Sequence, residues 1–578
     1  MNKSLAIIAS VVLASIVVAH VFAEESVAPT LIHINQVGFL PNAHKIAVIP
    51  ASTSRSYSIV KAGTDHVVYE GTLRRDAGWL PAEEKVAQAD FSALKKTGEF
   101  QLRVAGLPIS DRFRIQDDEY IAINHAAIKS YYLNRASMQL LPQFAGKYAR
   151  AAGHPDDHVL IHASAASAKR PEGTVISAPK GWYDAGDYNK YIVNSGITTY
   201  TLLAAYEQFP AYYNKQVIGI PHEKTERKVP DLLVEVMWNL QWMLAMQDPD
   251  DGGVYHKLTN KLFDSMVMPA LCDKERYVVQ KTTAATLDFA AVMAIASRVY
   301  AKHDDAYPGL SAKMRTAAER AWQWARANPA VLYEQPTDIK TGGYGDNEVS
   351  DEFAWAATEL YITTMDESYY QEFKAKQIVN MVPSWGDVRG LAWMSLSTHM
   401  KDLSSIADKN LIKSRVDTLA ASLANLWQES AYGVSMQNND FVWGSNAVAL
   451  NQAMMLIQGY RLTEKKDYLD AAQGLFDYVL GRNPTGYSFV TGFGTRPPMH
   501  PHHRLSEADG IVDPLPGMLV GGPTALQTDS KGCKVPYPSK LTAKSYLDDV
   551  CSYTTNEIAI NWNAPLVYVS GALQVLTR

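Results

Sequence analysis

Cysteine is scarce in this chain, and neither sign of charge is in large excess. Only 3 of the 578 residues are cysteine, which is too few for a disulfide framework. The 54 Lys and Arg residues face 60 Asp and Glu residues, for a formal net charge of -6. Attraction to nucleic acid or to anionic lipid requires a clustered basic face. The composition therefore argues against a disulfide-rich fold and against nucleic acid as a partner.

Apolar and aromatic side chains are abundant. Hydrophobic residues make up 47% of the sequence, which excludes a disordered or collagen-like chain and is enough for a large core. The chain also has 12 Trp and 31 Tyr residues. Their number indicates a surface on which flat apolar faces, such as those of sugar rings, can stack.

Residues 1–23 have the pattern of a secretory signal peptide. Lys3 is followed by an apolar run from Leu5 to Ala19 and then by small or modest side chains up to Ala23. The alternative is an uncleaved membrane anchor, because the run is nearly long enough to span a bilayer. No later stretch is expected to be apolar enough to cross a bilayer. After cleavage the chain is therefore expected to be secreted or periplasmic, with no membrane partner.

An oxidising compartment outside the cytoplasm would permit disulfides without requiring them. Cys533 and Cys551 lie near each other in sequence and can pair, which would leave Cys272 free. Spacing in the sequence does not decide whether this pair forms.

The hydrophobic period changes near residue 120. Before it, short β-type runs alternate with turn residues, which predicts a small β-sandwich over residues 28–116. The predicted strands are Leu31–Asn35, Ile46–Ile49, Ser56–Val60, His66–Tyr69, Phe100–Val104 and Arg112–Ile115.

After Tyr120 the apolar spacing is helical, and it predicts about twelve helices over residues 120–578. Their starts are predicted near Ile121, Ile192, Pro230, Thr282, Ser311, Asp351, Glu367, Val388, Leu411, Ser445, Asp467 and Asn556. A solenoid would need a repeat of fixed period, which the sequence lacks, so a bundle and a closed barrel of six helical hairpins are left. The long polar and aromatic loops at residues 151–189 and 484–549 favour the barrel, because loops at one end of a rigid scaffold commonly carry the chemistry.

Two carboxylates lie three residues apart in the loop before the second predicted helix. Between Asp184 and Asp187 the small residues Ala185 and Gly186 allow a tight turn, so both acids can point into one space. The alternative is that Asp187 or Asn189 only caps the next helix. Two acids among Trp and Tyr residues fit a hydrolytic sugar site better, in which one carboxylate removes a proton from water.

A third acid, Glu557, leads an apolar segment that contains Ile558, Ile560 and Trp562. Such surroundings would reduce its hydration and raise its pKa, which suits an acid that donates a proton to a leaving oxygen. The alternative is an ordinary first-turn residue of a helix, favoured there by the helix dipole.

Three histidines and an arginine fall within His500–Arg504. Metal binding is one interpretation, but a zinc set would need helical or hairpin spacing and usually Cys or carboxylate ligands as well. The neighbouring prolines predict a stiff extended loop instead. His502 and Arg504, at alternate positions of that loop, would face one side and donate hydrogen bonds to sugar hydroxyls.

Together these segments resemble the signatures of the glycoside hydrolase family 9 cellulases. Ser488–Arg504 matches the family's histidine-and-arginine signature, Asn556–Pro565 its glutamate signature, and Asp184–Asp187 its aspartate pair. Asn35–Pro41 is similar to the opening of the immunoglobulin-like module of many members. The resemblance implies a mainly α protein, with an (α/α)6-barrel catalytic domain preceded by a small immunoglobulin-like β-sandwich. It also implies hydrolysis of β-1,4-glucan with inversion at the anomeric carbon.

The resemblance also implies roles by position. Asp187 corresponds to the catalytic base, Asp184 to its partner in holding the attacking water, and Glu557 to the general acid. For inversion, the carboxyl groups of acid and base should lie about 6.5–9.5 Å apart. The implied substrate-binding residues are His502, Arg504, His256, Trp443 and Tyr553.

No cofactor is implied for catalysis, but many members bind a structural calcium ion. The matching oxygen donors here are Asp346, Asp351, Glu352 and Asp387. The alternative is a solvated helix start capped by Asp351.

Some relatives hold a zinc ion through two Cys and two His. The matching stretches here lack both Cys and retain only His154 and His162. Two histidines alone would make a weak site, so no structural zinc is expected.

The implied function is a secreted endo-β-1,4-glucanase acting on cellulose-type β-glucans or cello-oligosaccharides. An exo-acting β-glucosidase or glucosaminidase of the same family is the alternative if the segment Leu505–Cys551 closes one end of the cleft. A non-catalytic carbohydrate-binding protein would not need Asp184, Asp187 and Glu557 together. No docking module is seen between the Glu557 segment and the last residue, so soluble or amorphous glucan is the expected substrate.

Overall fold

The computed structural model describes residues 32–51 and 53–578. The predicted signal peptide, residues 1–23, lies outside the described residues, as does the first residue of the first predicted strand.

The N-terminal region is built from two antiparallel sheets. Within the part of the chain that the structure describes, seven strands form it: β1 (Ile46–Pro50), β2 (Ser56–Lys61), β3 (Val67–Thr72), β4 (Arg74–Trp79), β5 (Glu84–Asp90), β6 (Gly98–Val104) and β7 (Phe113–Ile115). One sheet has the order β1-β5-β4 and the other β3-β2-β6-β7. Side chains of both sheets, among them Ile49, Ile59, Leu102 and Phe113, form one buried cluster. This is the predicted β-sandwich.

In this region five of the six predicted strands are present, and two strands were not predicted. The first prediction, Leu31–Asn35, was wrong for the residues described, because only an isolated bridge between His33 and Val48 forms there. The missed strands are β4 and β5, whose sequences are rich in charged residues and alanine. Such residues are poor strand formers by themselves, and pairing of β5 with both β1 and β4 places them in the sheet. A second set of unpredicted strands forms one small sheet among the loops of the helical region: Val159–Ile161, Val175–Ile176, Lys190–Tyr191, Lys257–Thr259 and Arg276–Val278.

Twelve helices of nine or more residues follow among the residues that the structure covers. They are α1 (Ile121–Leu133), α2 (Ile192–Gln208), α3 (Asp231–Ala245), α4 (Thr283–Tyr300), α5 (Leu310–Ala327), α6 (Ser350–Thr364), α7 (Glu367–Ala375), α8 (Arg389–Thr398), α9 (Lys409–Glu429), α10 (Ser445–Thr463), α11 (Lys466–Val479) and α12 (Ile560–Leu576). Each corresponds to a predicted segment. The predicted and observed starts differ most for α12, which is predicted near Asn556 and begins at Ile560. The chain before it is extended because Ile558 pairs with Val520.

The helices form the closed double ring that the sequence predicts. The even-numbered helices contact one another in the cyclic order α2-α4-α6-α8-α10-α12-α2, so the inner ring closes on itself. Odd-numbered helices pack outside it; α5, for example, contacts α4, and α11 contacts α10. The fold is therefore an (α/α)6 barrel, and the loops that precede the inner helices meet at one end.

Helix α4 is apolar enough to span a membrane, contrary to the expectation from the sequence. Among residues 32–51 and 53–578, the segment Thr283–His303 is long and apolar enough to span a membrane by length and composition. However, 89% of that window is buried inside the protein. Its apolar character reflects its place as α4 in the inner ring, where all faces of a helix contact other helices.

The β-sandwich is held to the barrel by buried contacts. Asn35 Nδ2 donates to Asp477 Oδ1 over 2.9 Å, and Gln88 Nε2 donates to the carbonyl of Ala431 over 2.9 Å. The ring of Trp79 lies 4.5 Å from that of Tyr432. These contacts attach the first region to the outer helix α11 and to the loop before α10.

The cysteine pairing left open by the sequence is decided by the structure. Cys533 and Cys551 form a disulfide, and Cys272 is a free, partly exposed thiol. The disulfide closes part of the long loop that precedes Glu557.

Candidate active site

A cleft of about 620 Å³ opens at the end of the barrel where the inner helices begin. The loops before α2, α6, α8, α10 and α12 all contribute to its walls. Its aromatic lining comprises Tyr191, Phe263, Tyr344, Trp385, Trp443 and Trp562, and its acids are Asp184, Asp187 and Glu557. The structure thus brings the three predicted acids, from two distant segments, to one aromatic-walled space.

Asp184 is held rigidly at the base of the cleft. Its side chain accepts hydrogen bonds from Asn194 Nδ2, over 2.6 Å to Oδ1, and from the Tyr344 hydroxyl, over 2.7 Å to Oδ2. Burial and the nearby charge of Asp187 raise the pKa of Asp184 to about 8. Two close carboxyl groups resist ionising together. Asp184 therefore retains a proton near neutral pH.

Asp187 is oriented by its own loop. Asn189 Nδ2 and the Tyr191 hydroxyl both donate to Asp187 Oδ2, the latter over 3.0 Å. The Asn189 side chain is fixed in turn, because its Oδ1 accepts from the backbone amide of Asn260 and from Arg276 Nη1. The N-terminal cap of α2 is Tyr191 and makes no side-chain cap bond. Neither Asp187 nor Asn189 is the helix cap that the sequence left as an alternative.

Glu557 reaches the same space from an extended segment. Its loop pairs with two neighbours, through bridges of His502 with Glu557 and of Val520 with Ile558. The backbone amide of Gly186 donates to Glu557 Oε1 over 3.3 Å. Glu557 lies outside α12, which begins at Ile560, so it is not the first-turn residue of the alternative interpretation.

The surroundings of Glu557 favour its protonated form. Burial, together with the charge of Asp187, raises the pKa of Glu557 well above its ordinary value, and the Gly186 amide opposes this only in part. The carboxyl group lines the cleft even though its environment is poorly hydrated. The raised pKa favours the protonated form of Glu557 in the same cleft that Asp187 lines.

Gly186 makes this approach of the two segments possible. A Cβ atom at that position would lie 2.3 Å from the carbonyl oxygen of His502 and 3.1 Å from Glu557 Oε1. Contacts that short cannot be accommodated without moving backbone. The glycine between the two aspartates is required for the close packing of the Glu557 segment as well as for a tight turn.

We expect Gly186→Ala to lower kcat/KM by about 100-fold, since misplacing a catalytic group by about 1 Å costs that much. Hydrolysis of a soluble β-glucan, with circular dichroism to confirm folding, measures it. Gly345→Ala is the matched control, because a Cβ there meets its nearest neighbour, Tyr333, at an ordinary 3.5 Å. Equal activity of both variants would contradict the requirement for glycine at 186.

The predicted sugar-binding residues do not all lie on the cleft surface. Trp443 is 45% exposed and lines the cleft, with its ring 5.6 Å from that of Tyr553. The Tyr553 ring also lies 6.0 Å from that of His502, whose Nδ1 bonds the carbonyl of Val550 over 2.6 Å. These three rings form one aromatic group at the edge of the cleft.

Arg504 holds the aspartate loop. Its Nη1 donates to the carbonyl of Gly186 over 2.6 Å, and its Nε donates to the carbonyl of Asp264 over 2.9 Å. The side chain is 7% exposed. In this arrangement Arg504 fastens the loop between the two aspartates to the wall of the cleft.

His256 does not reach the cleft surface, and this corrects its predicted placement as a cleft residue. Its two ring nitrogens bond Thr282 Oγ1 over 2.9 Å and the carbonyl of Gly343 over 2.7 Å, and its ring stacks on Tyr333 at 4.0 Å. Burial lowers the pKa of His256 to about 3. A fully bonded, buried and neutral imidazole supports the backbone of Gly343, which does line the cleft.

The four predicted calcium donors lie in one acidic cluster. Asp346 Oδ2, Asp351 Oδ1 and Glu352 Oε2 are buried without a hydrogen-bond partner. Asp351 does not cap α6; its Oδ2 accepts instead from the backbone amide of Val388 over 2.7 Å. Asp387 has a cationic neighbour, Arg389, whose Nε donates to its Oδ1. Buried carboxylate oxygens without partners are costly unless a cation is bound among them, so the donor set fits calcium.

Asp288 was missed by the sequence analysis. It is fully buried in α4, and both of its carboxylate oxygens lack a partner. Burial and the nearby Asp351 and Asp346 raise its pKa well above the usual range. The sequence feature that could have indicated Asp288 is a lone acid within an otherwise apolar helix. Only the packing of α4 against α6 shows which cluster this acid joins.

Tyr344 and Asn189, which contact the aspartate pair, were also not predicted. Tyr344 comes from the loop before α6, and Asn189 is bonded to a segment some seventy residues away. Their role as positioning residues depends on contacts that no local pattern reveals.

Two family profiles match this chain. Glycosyl hydrolase family 9 matches residues 120–570, and the cellulase N-terminal ig-like domain matches residues 28–108. The first covers more than half of the chain.

Several characterised proteins are similar over nearly the whole length. A xyloglucan-specific endo-beta-1,4-glucanase from Bacteroides ovatus is 43% identical over 561 residues, which are 94% of each chain. Endoglucanase D from Acetivibrio thermocellus is 34% identical over 546 residues, 93% of this chain and 82% of that protein. A solved Bacteroides ovatus GH9 structure has a TM-score of 0.88 at 41% identity, covering 95% of this chain and 99% of its own. A thermostable endoglucanase from Alicyclobacillus acidocaldarius has a TM-score of 0.85 at 31% identity, covering 95% and 100%.

Proposed function

Because the chain belongs to glycoside hydrolase family 9, we propose that it is an inverting endo-β-1,4-glucanase in which Glu557 is the general acid and Asp187 the general base. The observation that carries this proposal is the pairing of the two groups in one cleft. Asp187 lies beside Asp184, whose pKa is raised to about 8, and burial with the charge of Asp187 raises the pKa of Glu557 well above its ordinary value. Two carboxyl groups whose environments push their proton affinities apart are the arrangement that acid–base hydrolysis of a glycoside requires.

The proposed reaction proceeds in one displacement. Glu557 donates its proton to the glycosidic oxygen as the bond to the anomeric carbon breaks. Asp187 takes a proton from a water molecule, whose oxygen attacks that carbon from the opposite face. Asp184, fixed by Asn194 and Tyr344, orients this water together with Asp187. The products are a new reducing end of inverted configuration and a new non-reducing end.

The cleft walls support binding of a β-glucan chain. Trp443 presents an exposed ring at one edge, and Tyr344, Trp385 and Trp562 line the interior. Aromatic faces match the apolar faces of glucose rings, so these side chains can stack on a bound glucan chain. His502 and Tyr553 extend this surface next to Trp443.

Xyloglucan is the proposed preferred polysaccharide among β-1,4-glucans. The similar protein from Bacteroides ovatus, named for that specificity, matches this chain over 94% of both lengths. This is a narrower proposal than the β-glucan class to which the family points. Unbranched cellulose-type glucans and cello-oligosaccharides are the comparison substrates.

An exo-acting enzyme is the second candidate. Leu526, from the long segment Leu505–Cys551, lines the cleft, so this segment forms part of one wall. A cellodextrinase from Butyrivibrio fibrisolvens is 30% identical to this chain over 566 residues. A wall that closes one end would restrict cleavage to chain ends.

Product analysis over time distinguishes these proposals. Xyloglucan, carboxymethylcellulose and cellohexaose are incubated with enzyme while viscosity, reducing ends and product length are followed, and the anomer first released is identified by NMR. Early viscosity loss with release of the α-anomer is expected, fastest on xyloglucan. Monosaccharide release at nearly constant viscosity would place the exo-acting enzyme first, and release of the β-anomer would overturn the inverting assignment.

We also propose that the protein works outside the cytoplasm, in a secreted or periplasmic form. The predicted signal peptide supports this, as does the Cys533–Cys551 disulfide, since such bonds persist in oxidising compartments. No cofactor is proposed for the catalytic step.

The acidic cluster is proposed to hold a structural calcium ion, through Asp346, Asp351, Glu352 and Asp387, with Asp288 adding negative charge. The ion would neutralise buried carboxylates and join the loop before α6 to the loop before α8, both of which line the cleft.

We expect removal of calcium with a calcium-selective chelator to lower Tm, and calcium at 100 times its Kd to restore about 2.7 kcal/mol of stability. Thermal unfolding followed by circular dichroism measures this. The Asp351→Asn variant should lose most of the calcium response. A Tm independent of calcium in the wild type would contradict the site.

A further inference from the structure

A third group of metal-type ligands lies beside the cleft, separate from the acids and from the calcium cluster. His154, Asp264 and Cys272 come from two separate segments of the chain, yet one ligand atom from each lies within 4.8 Å of the other two. His154 Nε2 and Asp264 Oδ2 are 3.8 Å apart. Tetrahedral zinc bonds of about 2.0–2.3 Å place ligand atoms about 3.3–3.8 Å apart. The His154–Asp264 pair is already at this spacing, and the pairs with Cys272 would have to close by about 1 Å at most.

The imidazole of His154 points at this group without a partner there. His154 is 5% exposed, and its Nε2 is buried with no hydrogen-bond partner. Its other nitrogen, Nδ1, lies 2.9 Å from the hydroxyl of Tyr183. With Nδ1–H donating to Tyr183, the Nε2 lone pair faces the carboxylate and the thiol. Metal-binding histidines are oriented in this way, by a hydrogen bond from the nitrogen that does not bind the metal.

The other two ligands are supported and chemically suited. Asn260 Nδ2 donates to Asp264 Oδ2 over 2.6 Å, which fixes the carboxylate. Cys272 is the free thiol left by the Cys533–Cys551 disulfide. A set of one nitrogen, one oxygen and one sulfur ligand selects a zinc-type ion over calcium or magnesium, which prefer oxygen alone.

We propose that His154, Asp264 and Cys272 form a zinc-type metal site, with a solvent molecule completing the tetrahedral coordination. It differs from the set of two Cys and two His considered from the sequence: His154 is shared, but His162 bonds Ser164 and Asp338 instead. The expectation that no zinc binds rested on the two missing cysteines. Asp264 and Cys272, more than a hundred residues further along, are the other two ligands of the site proposed here.

The position of the site indicates a structural role close to the catalytic residues. Tyr183, which orients His154, directly precedes Asp184. The carbonyl of Asp264 accepts from Arg504, which also holds the carbonyl of Gly186. The metal would therefore tie the loop that carries Asp264 and Cys272 to the base of the aspartate loop.

The single free thiol provides a direct test. Of the 3 cysteines in the chain, two form the disulfide, so thiol-reactive reagents report on Cys272 alone in the oxidised protein. Protein freed of transition metals and kept in calcium is titrated with zinc, and the rate of thiol modification is measured. We expect one equivalent of zinc to slow modification about 100-fold. An unchanged rate in excess zinc would overturn the proposal.

Cobalt then identifies the ligands. Cobalt(II) added to the metal-free wild type should give a thiolate-to-cobalt charge-transfer band in the near ultraviolet. Cys272→Ser should lose the band while keeping its circular dichroism spectrum, and His154→Gln should weaken cobalt binding at least 100-fold. His162→Gln is the matched control and should keep both the charge-transfer band and the wild-type affinity for cobalt. Loss of the band in His162→Gln, or its absence in wild type, would overturn this ligand set.

Discussion

Glu557→Gln is expected to lower kcat on β-glucan by about 10²–10⁴-fold, the range that a positioned general acid contributes. Glutamine preserves the size of the side chain and can accept from the Gly186 amide, but it has no acidic proton for the leaving oxygen. Binding of a cello-oligosaccharide, measured by calorimetry, should be nearly unchanged, because the aromatic walls are intact. The loss should therefore appear in kcat.

Two further measurements isolate the acid role of Glu557. An aryl cello-oligosaccharide with a leaving group that needs no protonation should recover most of the lost rate. The pH profile should also change, because Glu557 acts only when protonated: in the wild type, activity falls as pH rises through its raised pKa. That alkaline decline should be absent or displaced in the variant. Equal loss on both substrates would refute the acid assignment.

Asp187→Asn is expected to lower kcat to a similar extent, by about 10²–10⁴-fold, for a different reason. The amide cannot accept a proton from water. It would also place an NH₂ group or a weaker acceptor against Asn189 and Tyr191, which both donate to Asp187 Oδ2.

The activated aryl substrate separates the two carboxyl groups. Base catalysis is still required when the leaving group is good, so the loss in Asp187→Asn should be the same on both substrates. Tyr191→Phe, which removes one donor but keeps the carboxylate, is the control and should lose much less activity. Recovery of Asp187→Asn on the activated substrate would mean that the two roles had been exchanged.

The fold and the site are predictable from the sequence where the determining interactions are local. The helical period marked all twelve long helices, because burial of one face every three to four residues is written directly into each segment. The three acids of the cleft were found because each stands in an unusual local setting, a glycine-containing turn among aromatic residues or the head of an apolar run.

Other features are not predictable from the sequence, because neighbours along the chain do not determine their environment. β4 and β5 consist of poor strand formers that pairing holds in a sheet, and His256 is buried behind the cleft wall by contacts with Thr282 and Gly343. Predicting β4 and β5 requires knowledge of their partner strands. Predicting the burial of His256 requires knowledge of how its loop packs on another loop.

By itself, then, the sequence determined which segments are helices and which residues could act as acid and base. Only the tertiary structure decided that Asp187 and Glu557 share one cleft, that Asp288 joins the acidic cluster of Asp346 and Asp351, and that Cys272 lies beside His154. The physical reason is that proton affinity and metal binding depend on burial and on charges within a few ångströms. In a closed ring of helices, those neighbours come from segments hundreds of residues apart.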